Sequence, residues 1–227
     1  MKFFILMKFG RREHLQDFRV RGAVYMRSFG YFKRLEGDVA RGDRLEGTTR
    51  ILQPHHVGSF VLDASSAGMG KVSLDPRDMV GPIEFGLSDE HSANMFCMYR
   101  LDRPTDLFPI DKRVIDFGDT FVMVTNTSEF LNRFRAAAQR AGMVGAGNKV
   151  EYFDPGEYSG ETGPFRKSRE FEYQQEYRFV LRPGSALPIT LLLGSLLDIT
   201  TPILPTERLD ELLDFTADKA RAAGITW

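Results

Sequence analysis

No stretch of this chain constrains its fold as tightly as Phe171 to Leu181, FEYQQEYRFVL. With a period of two, Phe171, Tyr173, Tyr177, Phe179 and Leu181 share one face, with Gln175 the polar interruption. Glu172, Gln174, Glu176 and Arg178 share the other. An amphipathic helix would scatter both sets around its circumference, so the pattern predicts a strand with one apolar and one ionisable side. On such a strand Gln174 and Glu176 stand about 7 Å apart along the same face. A carboxylate flanked by an amide and a guanidinium makes Glu176 the first candidate for chemistry. The plainer alternative is that Glu172, Glu176 and Arg178 form the water-facing side of an antiparallel strand.

The rest of the chain supplies the frame. Its 227 residues suffice for one sizeable α+β domain. Thirty basic and thirty-one acidic side chains nearly cancel, so no global attraction to nucleic acid or anionic membrane is expected, although a local basic patch is compatible with that balance. The apolar run at the start, MKFFILM, is too short for a signal core or a membrane span and reads as a first buried strand. The lone Cys97 sits in the apolar run MFCMY, which predicts an inert thiol with a raised pKa and a reducing, cytoplasmic setting. His55 and His56 follow Pro54 on a corner; if extended they point apart, and no metal-ligand spacing is present.

Helices are predicted around Arg11–Arg19, over a short segment carrying Tyr31, Phe32 and Leu35, over Ser128–Ala141 with Thr127 or Ser128 as cap, and over Thr206–Ala222. Strands are predicted at Ala23–Arg27, Thr48–Leu52, Ser59–Leu62, Asn94–Leu101, Asp119–Thr125 and Val150–Phe153, followed by the 171–181 strand and an apolar run at Ile189–Ile199. A flexible turn is expected at Gly142–Gly147, an irregular connection or hairpin near 63–82, and a mobile flap near 154–169. Strands outnumber helices without a βαβ rhythm, so the expected fold is a mainly antiparallel, strand-rich α+β single domain over 1–227.

A second constellation lies early. In RGDRLEG, from Arg41 to Gly47, two glycines bracket Asp43, Arg44 and Glu46 and let backbone approach a ligand while side chains converge on it. Asp43 and Glu46 suit ribose hydroxyls, and Arg41 suits a pyrophosphate. The same two acids and two bases read blandly as a surface turn whose charges pair with one another.

Gln174-x-Glu176 resembles the motif of the ADP-ribosyltransferase superfamily. Together with YMRSFGYFKRLEGDVARGDRLEGT, FCMYRL, VIDFGDTFVMV and PFRKSREFEYQQEYRFVL, the chain is similar to a bacterial mobile-element-associated family. The resemblance implies the ADP-ribosyltransferase fold and an NAD-dependent transferase acting on a macromolecule as a toxin or phage-defence effector. It implies Glu176 and Gln174 as catalytic residues, Arg27 or Arg41 with Asp43, Glu46 and Arg178 around the NAD, the 154–169 segment on a protein or nucleic-acid target, and an antitoxin or other protein partner. The superfamily's Ser-Thr-Ser triplet is absent; Ser65-Ser66 is the nearest approach. Two alternatives come from other classes. Asp43, Glu46, Glu172 and Glu176 could hold Mg²⁺ for phosphodiester cleavage, with Arg178 where a lysine would have served better. Or the chain is a non-enzymatic protein-binding module that uses its aromatic strand and a flap carrying Tyr158 and Phe165.

Overall fold

Two strands compete for one edge of a third, and that fork organises the molecule. The computed structural model describes residues 4–35, 43–86, 91–101 and 110–209. In chain order these form β1 (Ile5–Gly10), α1 (Arg12–Arg21), β2 (Ala23–Ser28), α2 (Phe29–Lys33), β3 (Thr48–Leu52), β4 (Phe60–Asp63), β5 (Lys71–Leu74), β6 (Ile83–Gly86) and β7 (Asn94–Leu101). There follow β8 (Thr120–Val124), α3 (Thr127–Arg140), β9 (Val144–Lys149), β10 (Glu151–Phe153), β11 (Gly160–Glu161), β12 (Arg166–Ser168), β13 (Glu176–Arg182), β14 (Ile189–Leu192) and β15 (Leu204–Pro205). The result is a mixed α/β domain with several antiparallel sheets; the β10–β12 pair is parallel.

The main sheet runs β14-β2-β7-β1-β8-β15. The other edge of β7 is taken along most of its length by β13, which in turn carries β9. On the forked edge, β2 pairs with β7 at Asn94 and Met95, and β1 pairs at Tyr99 to Leu101. In the gap between them the Cys97 carbonyl accepts a hydrogen bond from Lys8 Nζ at 2.8 Å, and the same ammonium lies over the Phe96 ring. A side-chain cation thus takes a place in a ladder that two diverging strands leave open.

One face of the sheet packs on α1 and α3. Tyr177, Phe179 and Leu181 point there, and Phe179 is ringed by Phe96, Phe130, Phe134 and Tyr177. The expected apolar side of the late strand is therefore a core face. Helix α3 begins one residue earlier than its sequence signals indicate, because Asn126 Oδ1 accepts from the Glu129 amide and acts as the cap.

Two stretches differ from expectation. The 171–181 segment is not one strand: Arg169–Gln174 is a 3₁₀ helix, Gln175 adopts a left-handed conformation (φ 41), and pairing starts only at Glu176. A single non-glycine residue in that region breaks the period-two register, so Gln174 and Glu176 do not share a strand face. The glycine-rich 142–147 stretch is not a flexible turn beyond Met143, since Val144–Lys149 forms β9 against β13. Its glycines serve close packing: a Cβ on Gly145 would meet the Phe134 ring at 2.8 Å. The β4–β5 hairpin, which starts at Phe60, makes its turn and its second strand within the 63–82 region, so a hairpin, one of the two expected options, is present there. The final predicted helix lies almost wholly outside the described residues; of it, Thr206–Arg208 is 3₁₀.

The β13 end of the remaining face lies under a layer built from β3, β6 and β11 and from the β10–β12 pair, while Ile110 and Val114 pack on Met7, Phe9 and Phe121 over β1 and β8. The 154–169 segment, expected as a flap, is tied into that layer. Gln53 Nε2 donates to the carbonyls of Pro155 and Tyr158, Ser159 Oγ accepts from the Gln53 amide, and Thr162 Oγ1 donates to the Thr48 carbonyl.

At the end of α1, Gly22 closes the helix with φ 64, and the Gly22 carbonyl accepts from Leu193. A Cβ there would collide with the Gly194 carbonyl oxygen, whereas at Gly142 (φ 69) it would meet open space. Both positions carry the same left-handed penalty, so Gly22→Ala is expected to cost about 1–3 kcal/mol more than Gly142→Ala in urea unfolding. Equal losses would show that the Gly22–Gly194 approach does not constrain the fold.

Candidate functional site

The face of β13 opposite the helices carries Glu176, Arg178 and Val180, and the first two are not solvated. Arg178 is fully buried and Glu176 is 8% exposed. Every buried charged residue among the described residues belongs to one cluster: Asp43, Glu46, Lys167, Glu176 and Arg178.

Arg178 is its hub. Its Nη1 and Nη2 form a forked pair with Glu46 Oε1 and Oε2 at 2.9 and 2.8 Å, its Nε donates to Glu176 Oε2 at 2.7 Å, and Nη1 also donates to the Pro164 carbonyl. The second oxygen of Glu176 accepts from Lys167 Nζ at 2.8 Å, and Lys167 also donates to Gln174 Oε1 at 2.7 Å. The ammonium lies 4.5 Å from the centroid of Phe171. Gln174 Nε2 donates to Tyr173 Oη, and the Glu176 amide donates to Tyr152 Oη at 2.8 Å.

Local structure explains how each group arrives. Asp43 Oδ1 accepts from the Leu45 amide and its carbonyl accepts from the Glu46 amide, a tight turn that ends at Gly47 (φ 79) and feeds β3. That turn aims Glu46 inward. The left-handed Gln175 swings the 3₁₀ turn back so that Gln174 and Glu176 meet on one ammonium, which an unbroken strand would hold apart. Lys167 comes from β12, beside β10 and Tyr152.

The structure therefore brings together Glu46, Gln174, Glu176 and Arg178, with Asp43 buried beside them as the turn-former. It does not bring in Glu172, which is exposed. Arg27 lies on the same sheet face but on β2, opposite Met95, while Arg178 lies opposite Cys97. The two are separated by two strand spacings, roughly 10 Å across the sheet, and by two residues, about 7 Å, along it. Arg41 lies outside the described residues. Sequence reasoning missed Lys167, in a segment read as a flap; the available clue was that two acids converging on one arginine inside a core need a second cation. His55 and His56, expected to point apart, form a 3₁₀ turn and meet edge to face with ring centroids 4.2 Å apart. Among the described residues no group of three or more His, Cys, Asp or Glu is disposed to hold a metal ion.

The two carboxylates of the hub differ. Burial opposes the charged form of Glu176, but Arg178 and Lys167, one on each oxygen, outweigh it and hold that carboxyl well below the usual carboxylate range. Burial also opposes the charge on Glu46; Arg178 offsets this only in part while Asp43 and Glu176 add repulsion, so its pKa is raised. Burial pushes the neighbouring Cys97 thiol up to about 12, with the Glu176 charge adding to it, in line with the inert thiol expected from its apolar neighbours.

No protein-family model matches the chain, and neither the curated proteins nor the solved structures give a match.

The opposite shifts set the pH response. Glu176 contributes stability that is present above the ordinary carboxylate range and is lost only as pH falls well below it. Glu46, with its raised pKa, works against stability at neutral pH, and that cost is relieved as pH falls toward the ordinary range. Glu176→Gln leaves Lys167 and Arg178 short of a counter-charge and is expected to cost about 3–5 kcal/mol at pH 7. Glu46→Gln should cost less and should remove the acid-side gain, measured by urea unfolding at pH 7 and pH 5.5. If Glu46→Gln is the more damaging change, the assignment of the two carboxylates is wrong.

Proposed function

We propose that the buried charge cluster is the reaction centre of an NAD-dependent ADP-ribosyltransferase-like enzyme acting on a macromolecular target. One observation carries this reading. The early acidic turn and the late Gln-x-Glu segment, about 130 residues apart in sequence, converge on a single cluster in which Glu176 is kept ionised. Buried ionisable groups oppose folding unless they are paired, and strongly perturbed groups of this kind concentrate at functional sites.

The charge balance favours a ligand that carries or develops positive charge. Glu46 and Glu176 pair with the two cations, and Asp43 is buried beside them as a third acid with no cation of its own among the described residues. The nicotinamide ring of NAD is cationic, and as the bond between the ribose C1′ and the ring nitrogen breaks, both bonding electrons leave with neutral nicotinamide while positive charge develops on the sugar. Glu176 stabilises that charge. For the sugar to reach Glu176 Oε1, Lys167 must give up its bond there, and its ammonium is then free to meet the substrate's pyrophosphate. The acceptor nucleophile adds at C1′ and loses its proton, and Gln174 orients the acceptor or the ribose.

The reading of a non-enzymatic protein-binding module draws on a different observation: both oxygens of Glu176 are already taken, as they would be in a purely structural hub. For the phosphodiesterase reading, Lys167 supplies the lysine that the strand itself lacks, but its acids do not form a metal-holding group among the described residues.

Nicotinamide release from labelled NAD in cell lysate separates these readings. The transferase is expected to release nicotinamide, with a loss of about 10²–10³-fold in Glu176→Gln. Gln174→Leu, which removes an amide but no charge, should lower transfer to the acceptor and preserve the native near-UV spectrum. Absence of nicotinamide release by the wild-type chain removes the transferase reading, and nuclease activity abolished by EDTA would put the metal reading in its place.

A further inference from the structure

On the same sheet face, but at its open corner, lies a second arrangement that the charge cluster does not use. Strand β2 sends Val24 and Met26 into the helix-packed core and Tyr25 and Arg27 to the other side. There the Arg27 guanidinium lies over two rings, 4.3 Å from the centroid of Tyr31 and 5.1 Å from that of Tyr25. The corner is open: Tyr25 is 49% exposed, and the neighbouring strand β14 and the turn before it present Leu192 and Leu187, 46% and 73% exposed.

The unspent hydrogen-bonding capacity of Arg27 sets it apart. Arg113 and Arg166 also sit over tyrosine rings, Tyr173 and Tyr158, but each is held by a carboxylate: Asp111 at 2.6 Å and Glu151 at 3.0 Å. Arg27 contacts its two rings and, among the described residues, donates to no acceptor and pairs with no acid. A guanidinium has five N–H donors in a planar fork that matches the oxygens of a phosphate. Here, among the described residues, that fork is oriented by its two ring contacts, and no bond to those residues has to break for its donors to engage.

We propose that Tyr25, Arg27 and Tyr31 form a recognition platform for single-stranded nucleic acid. The fork takes a backbone phosphate while the half-exposed Tyr25 ring offers a face on which an unpaired base stacks. A phosphate and a flat ring in alternation is the repeat of a single strand, and ring–cation–ring is its complement. A duplex keeps its base faces stacked inside and cannot use the rings. The surface is open rather than enclosing, which suits a strand that makes several such contacts in series better than one free nucleotide. The near-zero net charge of the chain is no obstacle, because the attraction is local. Binding is read without turnover, so the platform stands or falls independently of the chemistry at Glu176.

Fluorescence anisotropy with labelled DNA and RNA oligonucleotides of about twelve nucleotides, across a salt series, tests it. The full chain is expected to bind single strands in preference to the duplex of the same sequence, and the DNA and RNA arms show which sugar it prefers. Arg27→Gln should weaken binding by about tenfold and lower the salt slope by about 0.7, the value of one single-strand phosphate contact. Tyr25→Ala should weaken it by about 1–3 kcal/mol, roughly 5- to 150-fold, with the salt slope unchanged. Arg113→Gln, at a stacked arginine already paired with Asp111, should leave binding as it is. Unchanged thermal melting in the variants shows that they are folded. No measurable binding, equal binding of duplex, indifference to both Arg27→Gln and Tyr25→Ala, or full competition by an acidic peptide would overturn the proposal.

Discussion

The bond set around Arg178 locks the main sheet to the layer that covers it. One fully buried guanidinium joins β13 of the main sheet to the Asp43–Glu46 turn of the covering layer, and through the Pro164 carbonyl to the segment that delivers Lys167. Little else in the cluster would be tolerable without it. Two buried carboxylates repel each other and resist desolvation, and only a cation between them makes their joint burial acceptable. The geometry is also specific, since a fork-to-fork pair fixes angle as well as distance. The hub thus determines where the covering layer sits on the sheet, and the apolar contacts of Phe29, Met95, Val180 and Phe165 fill the space beside it.

That arrangement divides the sheet's second face into two regimes. Under the covering layer, charges are removed from water, and each is defined by the partner that compensates it. At the β2–β14 corner Tyr25 is half exposed, and among the described residues Arg27 is oriented by two aromatic rings and donates to no acceptor. Burial makes Glu176 and Arg178 costly to rearrange, and exposure makes Arg27 cheap to engage. The two proposals draw on these opposite properties, one at the covered part of the face and one at its exposed corner.

Much of the fold was legible because it follows from local rules. Asn94–Leu101 is a strand with the predicted bounds, and Asp119–Thr125 contains β8, since both are continuous apolar runs buried on two faces. Helix α1 ends where Gly22 permits a left-handed residue. The failures have equally specific causes. Glycines at 145 and 147 read as a turn, yet they lie in a strand because the Phe134 and Tyr177 rings press against their backbone; propensity yielded to packing. The period-two pattern across Phe171–Leu181 continued through Gln175, and nothing in that side chain announces a positive φ.

Local pattern alone shows which side chains alternate on β13, that Tyr177, Phe179 and Leu181 would seek a core, and that an acid and an arginine would share the other face. Period and hydrophobicity are local quantities, so they are written in the chain. It takes the packed molecule to make this other face dry, to bring Glu46 and Lys167 to its charges, and to carry Gln174 to the same ammonium through a kink rather than along a strand. Whether a polar face meets water or another layer depends on where residues far away in sequence come to rest. The protonation state of every group on it follows from that placement, and no local pattern encodes it.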